Sequence, residues 1–297
     1  MNIVEIDNVH CTYRRGADAL AGVSFAIEPG EVVGLVGKNG AGKTTLMRVA
    51  LGMLAARQGG VRLFGLDPRR QPVEVKRRVG YVSEDQILPP FLRVEAVVEL
   101  HRRLFPTWDD AVARRLAERF ELPARARIKN LSKGQARQVA LLCAVSHRPE
   151  LLLLDEPAGG LDPAARREFL ETSIQLLNEA GSTILFSSHY MTDVERLADR
   201  IVMLHAGKVL LDTQLDELQE SYSLALVPPG DGGLRERVAG VEGCLGVRER
   251  ADALHAVFRL DPQGAAAALE RGLGLSGVHA TRIALEEMFI ELAGGQT

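Results

Sequence analysis

The feature that most constrains this chain is a short glycine-rich segment, Gly37-Lys38-Asn39-Gly40-Ala41-Gly42-Lys43-Thr44. A glycine, four residues and then Gly-Lys-Thr is the spacing of a phosphate-binding loop, or P-loop. Its glycines let backbone N–H groups turn inward around phosphate oxygens, Lys43 reaches the β- and γ-phosphates, and the Thr44 hydroxyl ligands Mg²⁺. Residues 31–36 predict a strand before the loop. Residues 44–51 predict a helix after it, whose positive N-terminal end also attracts the anion.

Composition narrows the class of protein. The 297 residues carry a formal net charge of −3 without a basic stripe, so nucleic acid is not expected as the main partner. Cys11, Cys143 and Cys244 are far apart, which disfavours a zinc site or disulfide framework and favours reduced thiols. The N-terminus lacks a signal-peptide pattern, and the longest clean apolar run, residues 151–154, is far shorter than the ~20 residues that span a bilayer. We therefore expect a soluble chain that works at a membrane only through another polypeptide.

Hydrophobic periodicity predicts an α/β fold. Strands alternate with helices around the P-loop, which indicates a mostly parallel sheet covered on both faces. The predicted strands are residues 3–9, 23–27, 61–64, 79–82, 151–154, 183–187 and 201–204, with helices at 163–179 and 191–198. Between about 86 and 150 the pattern is helical (94–105, 109–120 and 132–146), with Asp109 and Ser132 as candidate helix caps. This stretch is predicted to be a helical insertion into the layered core.

The last part of the chain has a different pattern. Composition shifts near Ser221, so we place a domain boundary between residues 220 and 221. Residues 223–283 predict a β-α-β-β-α-β order, the split βαβ arrangement of a small ferredoxin-like α+β domain. A final helix at 285–292 has apolar spacing that would let it dock on the main body.

A second motif follows the leucine-rich strand at 151–154. Asp155 ends the strand, which would put its carboxylate at the sheet edge beside the P-loop to hold Mg²⁺. Glu156, one residue further, would point to another side and suits a base that polarises water toward the γ-phosphate. An acidic pair after a strand is by itself more typical of a solvated turn. The P-loop about a hundred residues earlier favours the functional interpretation.

The motifs together resemble the nucleotide-binding subunit of ATP-binding-cassette (ABC) transporters over residues 1 to about 215. The decisive match is Leu131-Ser132-Lys133-Gly134-Gln135, which is similar to that family's signature motif Leu-Ser-Gly-Gly-Gln. Gly160-Leu161-Asp162 resembles the D-loop, Tyr13 the aromatic residue that stacks on adenine, and His189 the switch histidine at the γ-phosphate. The resemblance implies a P-loop ATPase that binds ATP and Mg²⁺ between two copies of the chain, the signature helix of each completing the other's site.

The resemblance also assigns the site residues. Catalytic roles fall to Glu156, His189 and Lys43, and metal ligation to Thr44, Glu84 and Asp155. The implied nucleotide contacts are Tyr13, Gly37, Asn39, Gly40, Ala41, Gly42, Lys43, Thr44 and Thr45, with Ser132, Gly134, Gln135 and Asp162.

Two positions depart from the family pattern. Lys133 replaces the first glycine of the signature pair, and its positive charge should still favour phosphate. The family has a glutamine, which helps to ligand Mg²⁺ and senses the membrane partner, about where Glu84 stands. Glu84 can still coordinate a cation with more charge, and Gln86 is the alternative through a shifted loop. We favour Glu84 because its spacing from residues 81–82 fits.

The resemblance implies an ATP-hydrolysing subunit that powers a separate transmembrane permease from the inner, cytoplasmic face of the membrane. The end of the chain, residues 285–290, looks like that of subunits from drug, antibiotic or sodium exporters, which favours export. Residues 89–92 either seat the permease or cover the core.

Two alternative functions remain open. One is a soluble ABC-type ATPase switch on ribosomes or DNA, although the second cassette or coiled-coil insertion usual in such proteins is not seen here. The other is a regulatory subunit that binds ATP without turnover.

Overall fold

A computed structural model describes residues 1–13, 16, 18–84, 88–159, 161, 163–178, 181–230, 233–250 and 253–294. The strands are β1 (Val4–Thr12), β2 (Asp18–Ile27), β3 (Val32–Val36), β4 (Gln58–Leu63), β5 (Val79–Val82), β6 (Leu151–Leu154), β7 (Thr183–Ser188), β8 (Arg200–His205), β9 (Lys208–Gln214), β10 (Ser223–Val227), β11 (Cys244–Glu249), β12 (Leu254–Phe258) and β13 (His279–Arg282). The helices are α1 (Lys43–Ala50), α2 (Pro72–Arg78), α3 (Val94–Leu104), α4 (Asp110–Arg119), α5 (Lys133–Val145), α6 (Pro163–Asn178), α7 (Met191–Leu197), α8 (Leu215–Ser221), α9 (Leu234–Ala239), α10 (Pro262–Leu273) and α11 (Leu285–Gly294).

The central sheet has six strands in the order β5-β6-β7-β3-β8-β9. All neighbouring pairs are parallel except β8 with the edge strand β9. The register pairs Leu154 with Phe186 and Val36 with Ser188, so β6, β7 and β3 end together at one edge. This shared carboxyl edge brings together the loops that carry the predicted chemistry, as is usual for ligand sites in parallel α/β sheets.

Side chains of the central strands alternate between two separate cores. Val33 and Leu35 of β3 face a cluster formed with α1 and the antiparallel sheet β2-β1-β4. Val32 and Val36 face the other cluster, which contains residues of α3 to α7. The strands are short apolar runs because both of their faces are covered. The predicted α/β core with a mostly parallel sheet is therefore confirmed.

The helical insertion contains α3, α4 and α5. The Asp109 carboxylate accepts hydrogen bonds from the backbone N–H groups of Ala111 and Val112, which confirms it as the cap of α4. The Ser132 hydroxyl accepts from the N–H of Gln135, whose side chain in turn accepts from the N–H of Ser132. This capping box satisfies donors that a helix start otherwise leaves unpaired.

The C-terminal sheet has the predicted element order. Its four strands run β11-β12-β10-β13 with every pair antiparallel, so β12 lies between β10 and β11, as in a split βαβ unit. Helix α11 packs against β11, β12 and α7, and the Glu195 carboxylate accepts from the N–H of Leu285. The prediction that the final helix docks on the main body is confirmed. One apolar cluster runs from Met203 through Leu224 to Met288, so hydrophobic packing continues across residue 220.

Three elements lie where the sequence analysis predicted none: α2, β9 and α8. Strand β9 escaped prediction because its residues are half polar and it lies at an edge, paired on one side with β8. Strand β2 also begins five residues earlier than predicted, at Asp18. In the described ranges, the helices are too short or too polar to cross a bilayer.

Candidate active site

The P-loop joins the end of β3 to the start of α1. Two of its glycines are required by close approaches: a Cβ on Gly37 would lie 2.4 Å from the Leu204 carbonyl oxygen, and one on Gly42 would lie 2.6 Å from that of Ala19. Gly42 also has a φ of 111° as the residue that caps α1, a conformation that favours glycine. The loop borders a cavity of about 520 Å³, lined by Tyr13, Asp18, Ala19, Lys38, Asn39, Gly40, Ala41, Gly42, Lys43, Thr44, Thr45, Glu84 and Glu156.

Lys43 is held inside the loop. Only 6% of it is exposed, and its Nζ donates to the Gly37 carbonyl oxygen at 2.6 Å. The same Nζ lies 3.1 Å from Glu156 Oε1. A buried ammonium needs such partners because isolated charge is costly away from water. The P-loop cation and the predicted base are therefore paired with each other.

Asp155 is fully buried at the end of β6. Its Oδ1 accepts from the hydroxyls of Thr44 and Ser187, each at 3.0 Å. Burial raises the pKa of the Asp155 carboxyl, the two hydroxyls oppose that rise, and the charges of Glu84 and Glu156 add to it. Asp155 Oδ2 is buried and finds no hydrogen-bond partner among the described residues. A carboxylate oxygen left over beside a threonine hydroxyl fits a hard cation such as Mg²⁺.

Glu156 has an unusual backbone. Its φ of 45° is in the left-handed region, which non-glycine residues rarely adopt. The Ser187 hydroxyl fixes this conformation by accepting from the Glu156 N–H at 2.8 Å. Glu156 Oε2 lies 2.8 Å from Nδ1 of His189, which follows β7. Strand β7 therefore positions both carboxylates through Ser187 and supplies the histidine.

Tyr13 and Glu84 both line this cavity. The Tyr13 hydroxyl is 3.1 Å from Thr45 Oγ1, and 45% of the residue is exposed, which leaves the ring accessible. Glu84 is exposed and lines the cavity with the P-loop. Its alternative, Gln86, lies outside the described residues.

The signature residues are not part of this cavity. Ser132, Gly134 and Gln135 form the start of α5 and are exposed or half-buried, and the lining of the P-loop cavity does not include them. Asp162 lies outside the described residues. The structure thus brings together the P-loop, Asp155, Glu156, His189, Tyr13 and Glu84 in one chain and leaves the signature residues apart from them.

Sequence reasoning missed two residues of this neighbourhood. Ser187 was only a flanking residue of the histidine motif, although a serine directly after the apolar run 184–186 is a signal for a buried polar role. Arg137 lies behind Glu84, with its Nη2 donating to the Glu84 carbonyl oxygen at 3.4 Å. A larger cleft of about 620 Å³ lies elsewhere, lined mainly by residues of β1 and β4 and by the segment 65–71 that precedes α2, and it carries none of the predicted motifs.

Comparison with known proteins agrees with this geometry. The family model described as "ABC transporter" matches residues 20–159. The ABC transporter ATP-binding protein NatA of Bacillus subtilis is 37% identical over 209 residues, covering 68% of this chain and 85% of that protein. The ABC transporter ATP-binding protein YtrB of the same species is 33% identical over 207 residues, 70% of each chain. The Nod factor export ATP-binding protein I of Rhizobium etli is 34% identical over 223 residues, covering 73% of this chain and 70% of that protein.

Solved structures show the same fold. The dimeric structure of MJ0796, a bacterial ABC transporter cassette, is 26% identical, with a TM-score of 0.65 over 71% of this chain and 98% of that one. A post-hydrolysis dimer of MJ0796 bound to ADP and Pi gives the same TM-score at 25% identity. This chain therefore belongs to the ATP-binding-cassette family, as an ATPase of the kind that forms the ATP-binding subunit of transporters.

Proposed function

We propose that this chain hydrolyses Mg²⁺-ATP as a homodimer and thereby drives a separate export permease. The observation that carries the proposal is the arrangement at one sheet edge: Lys43 and Glu156 are paired, and Asp155 keeps a buried oxygen without a partner beside Thr44. Such a site supplies positioning and charge neutralisation, which is most of what phosphoryl transfer to water needs.

The nucleotide would replace contacts that the residues now make with one another. Phosphate oxygens would compete with Glu156 for Lys43, and the release of that ion pair would leave Glu156 free to accept a proton from water. His189, whose Nδ1 now lies 2.8 Å from Glu156 Oε2, would hydrogen-bond the γ-phosphate and report its loss. Thr44, Asp155 and Glu84 would hold Mg²⁺, which neutralises phosphate charge when bound.

The second copy would supply the missing contacts. Ser132 and Gly134 start α5, where backbone donors and the helix dipole attract anions. They lie outside their own chain's P-loop cavity, so we assign them, with Gln135 and Asp162, to the nucleotide held by the partner protomer. A dimeric relative of the same fold supports this arrangement.

Export and membrane attachment are supported by relatives and by one exposed segment. Similar proteins bear the names Nod factor export ATP-binding protein I and linearmycin resistance ATP-binding protein LnrL. Phe91, in the loop before α3, is 69% exposed beside two prolines, which suits a contact with a permease. The chain would then lie on the cytoplasmic face of the membrane.

We also propose that residues 1–220 form the nucleotide-binding domain and residues 221–297 a separate C-terminal domain.

Two measurements test the proposal. Purification of the tagged chain from membranes should recover a multi-span polypeptide, and the purified chain should hydrolyse ATP with Mg²⁺ at steady state. Recovery only with ribosomes or DNA would instead support the soluble switch, and ATP binding without turnover would support a regulatory subunit.

A further inference from the structure

Arg137 is a buried cation that the reaction described so far does not use. It lies in the second turn of α5, two residues after Gln135, and only 7% of it is exposed. A buried guanidinium is costly unless carboxylates or carbonyl groups compensate it. Its surroundings should therefore show what it compensates.

The contacts of Arg137 lead to the active site. Its Nη2 donates to the Glu84 carbonyl oxygen at 3.4 Å. The same nitrogen lies 3.7 Å from the point that a Cβ on Gly159 would occupy, so the glycine leaves room for it. Nε and Nη1 are buried and find no acceptor within the described ranges. The guanidinium thus lies between the segment that carries Glu84 and the segment that follows Glu156.

The charges nearby explain why a cation belongs there. Burial lowers the pKa of Arg137, while the negative charges of Glu84 and Glu156 oppose that change. Glu84 and Glu156 line the nucleotide cavity with Lys43, and Asp155 is bonded to Thr44 at the same edge. Three carboxylates therefore lie at this site, where the P-loop cation is Lys43. In the family pattern Glu84 would be a neutral glutamine, so this chain has one more negative charge to balance.

We propose that Arg137 is a positioning residue whose positive charge makes Glu84 compatible with the ATPase site. It holds the Glu84 segment through the carbonyl contact and offsets the negative charges of Glu84 and Glu156. The negative charge of Glu84 and the positive charge of the buried Arg137 then compensate each other and form one unit. The inference rests on the proposed hydrolysis of ATP at this site.

The test is a double-mutant cycle on the full chain. Arg137→Met and Glu84→Gln are made singly and together, and kcat and KM for ATP are measured at saturating Mg²⁺. Arg137→Met should lower kcat about tenfold when Glu84 is present and no more than about twofold when Gln stands at 84. Equal losses in the two backgrounds, or no loss in either, would overturn the proposal. Arg125→Met, an exposed arginine in the loop before α5, is the matched control and should leave kcat unchanged.

Thermal unfolding without nucleotide gives a second readout. Arg137→Met should lower the melting temperature more with Glu84 than with Gln at 84, since only Glu84 carries a negative charge that Arg137 offsets. If neither methionine variant folds, Arg137→Gln, which also removes the charge, replaces Arg137→Met in both backgrounds. A larger loss of kcat with Glu84 than with Gln at 84 supports the proposal, and equal losses contradict it. Absence of turnover in the unchanged chain would overturn the proposed function, whereas the nucleotide-free melting cycle would still decide the role of Arg137.

Discussion

Two buried glutamates in this protein contact similar side chains but lie in different parts of the fold. Glu156, 7% exposed, contacts Lys43 and the Nδ1 of His189. Glu291, 2% exposed, contacts Arg250 and the Nδ1 of His255 at 3.2 Å. Each is thus a carboxylate between a cation and a histidine, and these contacts alone would assign both glutamates to chemistry.

The position of each glutamate in the fold distinguishes the two. Glu156 lies two residues after the parallel strand β6, has a left-handed backbone conformation and lines the P-loop cavity beside a second carboxylate, Glu84. Glu291 lies on α11, which packs its apolar residues on β11 and β12 and on the main body. A carboxylate, a cation and a histidine therefore do not define a site. The glycine loop, the neighbouring Asp155 and access for a ligand do.

The sharpest test of this comparison replaces each glutamate by glutamine. Glu156→Gln should lower kcat about 10²- to 10⁴-fold because the group that activates water is lost, while ATP binding remains and an ATP-dependent dimer elutes in size exclusion. Glu291→Gln should leave kcat within about twofold and lower the free energy of unfolding by about 1–3 kcal/mol. Full turnover in Glu156→Gln would show that another group is the base.

The two cations can be compared in the same way. Lys43→Ala should lower kcat/KM about 10²- to 10³-fold, because it removes the donor nearest the β- and γ-phosphates. Arg250→Ala is the control, and its kcat/KM should stay within about twofold. ATPase assays with both variants check this pair. Unchanged activity of Lys43→Ala would remove Lys43 from its assigned role.

A chain ending at Glu220 tests whether the C-terminal region matters to the site at all. Nucleotide affinity should stay within about threefold by equilibrium titration, since the described residues that line the P-loop cavity all precede residue 160. The melting temperature should fall, because Met288 and Phe289 cover apolar surface of the main body and the Phe289 ring lies under Lys38 at 5.8 Å. A truncated chain that does not fold would place the boundary elsewhere.

The smallest effect is expected for Asp155→Asn in the absence of nucleotide and Mg²⁺. Because folding raises the pKa of Asp155, the protein loses stability as pH rises through that pKa, and the asparagine variant avoids this loss. At neutral pH the variant should melt about 2–4 °C higher than the unchanged chain. The difference should vanish below the ordinary Asp pKa of about 3.9. Mg²⁺-ATP should stabilise the unchanged chain and not the variant, and the reverse order would argue against a cation at Asp155.

Local sequence was sufficient for much of the fold. The strand–glycine loop–helix unit, the caps at Asp109 and Ser132 and the β-α-β-β-α-β order of residues 223–283 follow from periodicity and capping chemistry between near neighbours in the chain. The edge strand β9 was not predictable in this way, because its polar residues are tolerated only where one side of the strand is open.

The sequence by itself determined three short motifs, each with its own chemistry: the P-loop, the Asp155-Glu156 pair and the signature segment. The pairing of Lys43 with Glu156, the bridge from Ser187 to both carboxylates and the burial of Arg137 behind Glu84 were decided only by the tertiary structure. These contacts join residues up to 113 positions apart in the case of Lys43 and Glu156, as their numbers show. No local pattern encodes which strand lies between two others, and here β7 enters between β3 and β6 and brings Ser187 and His189 to the site.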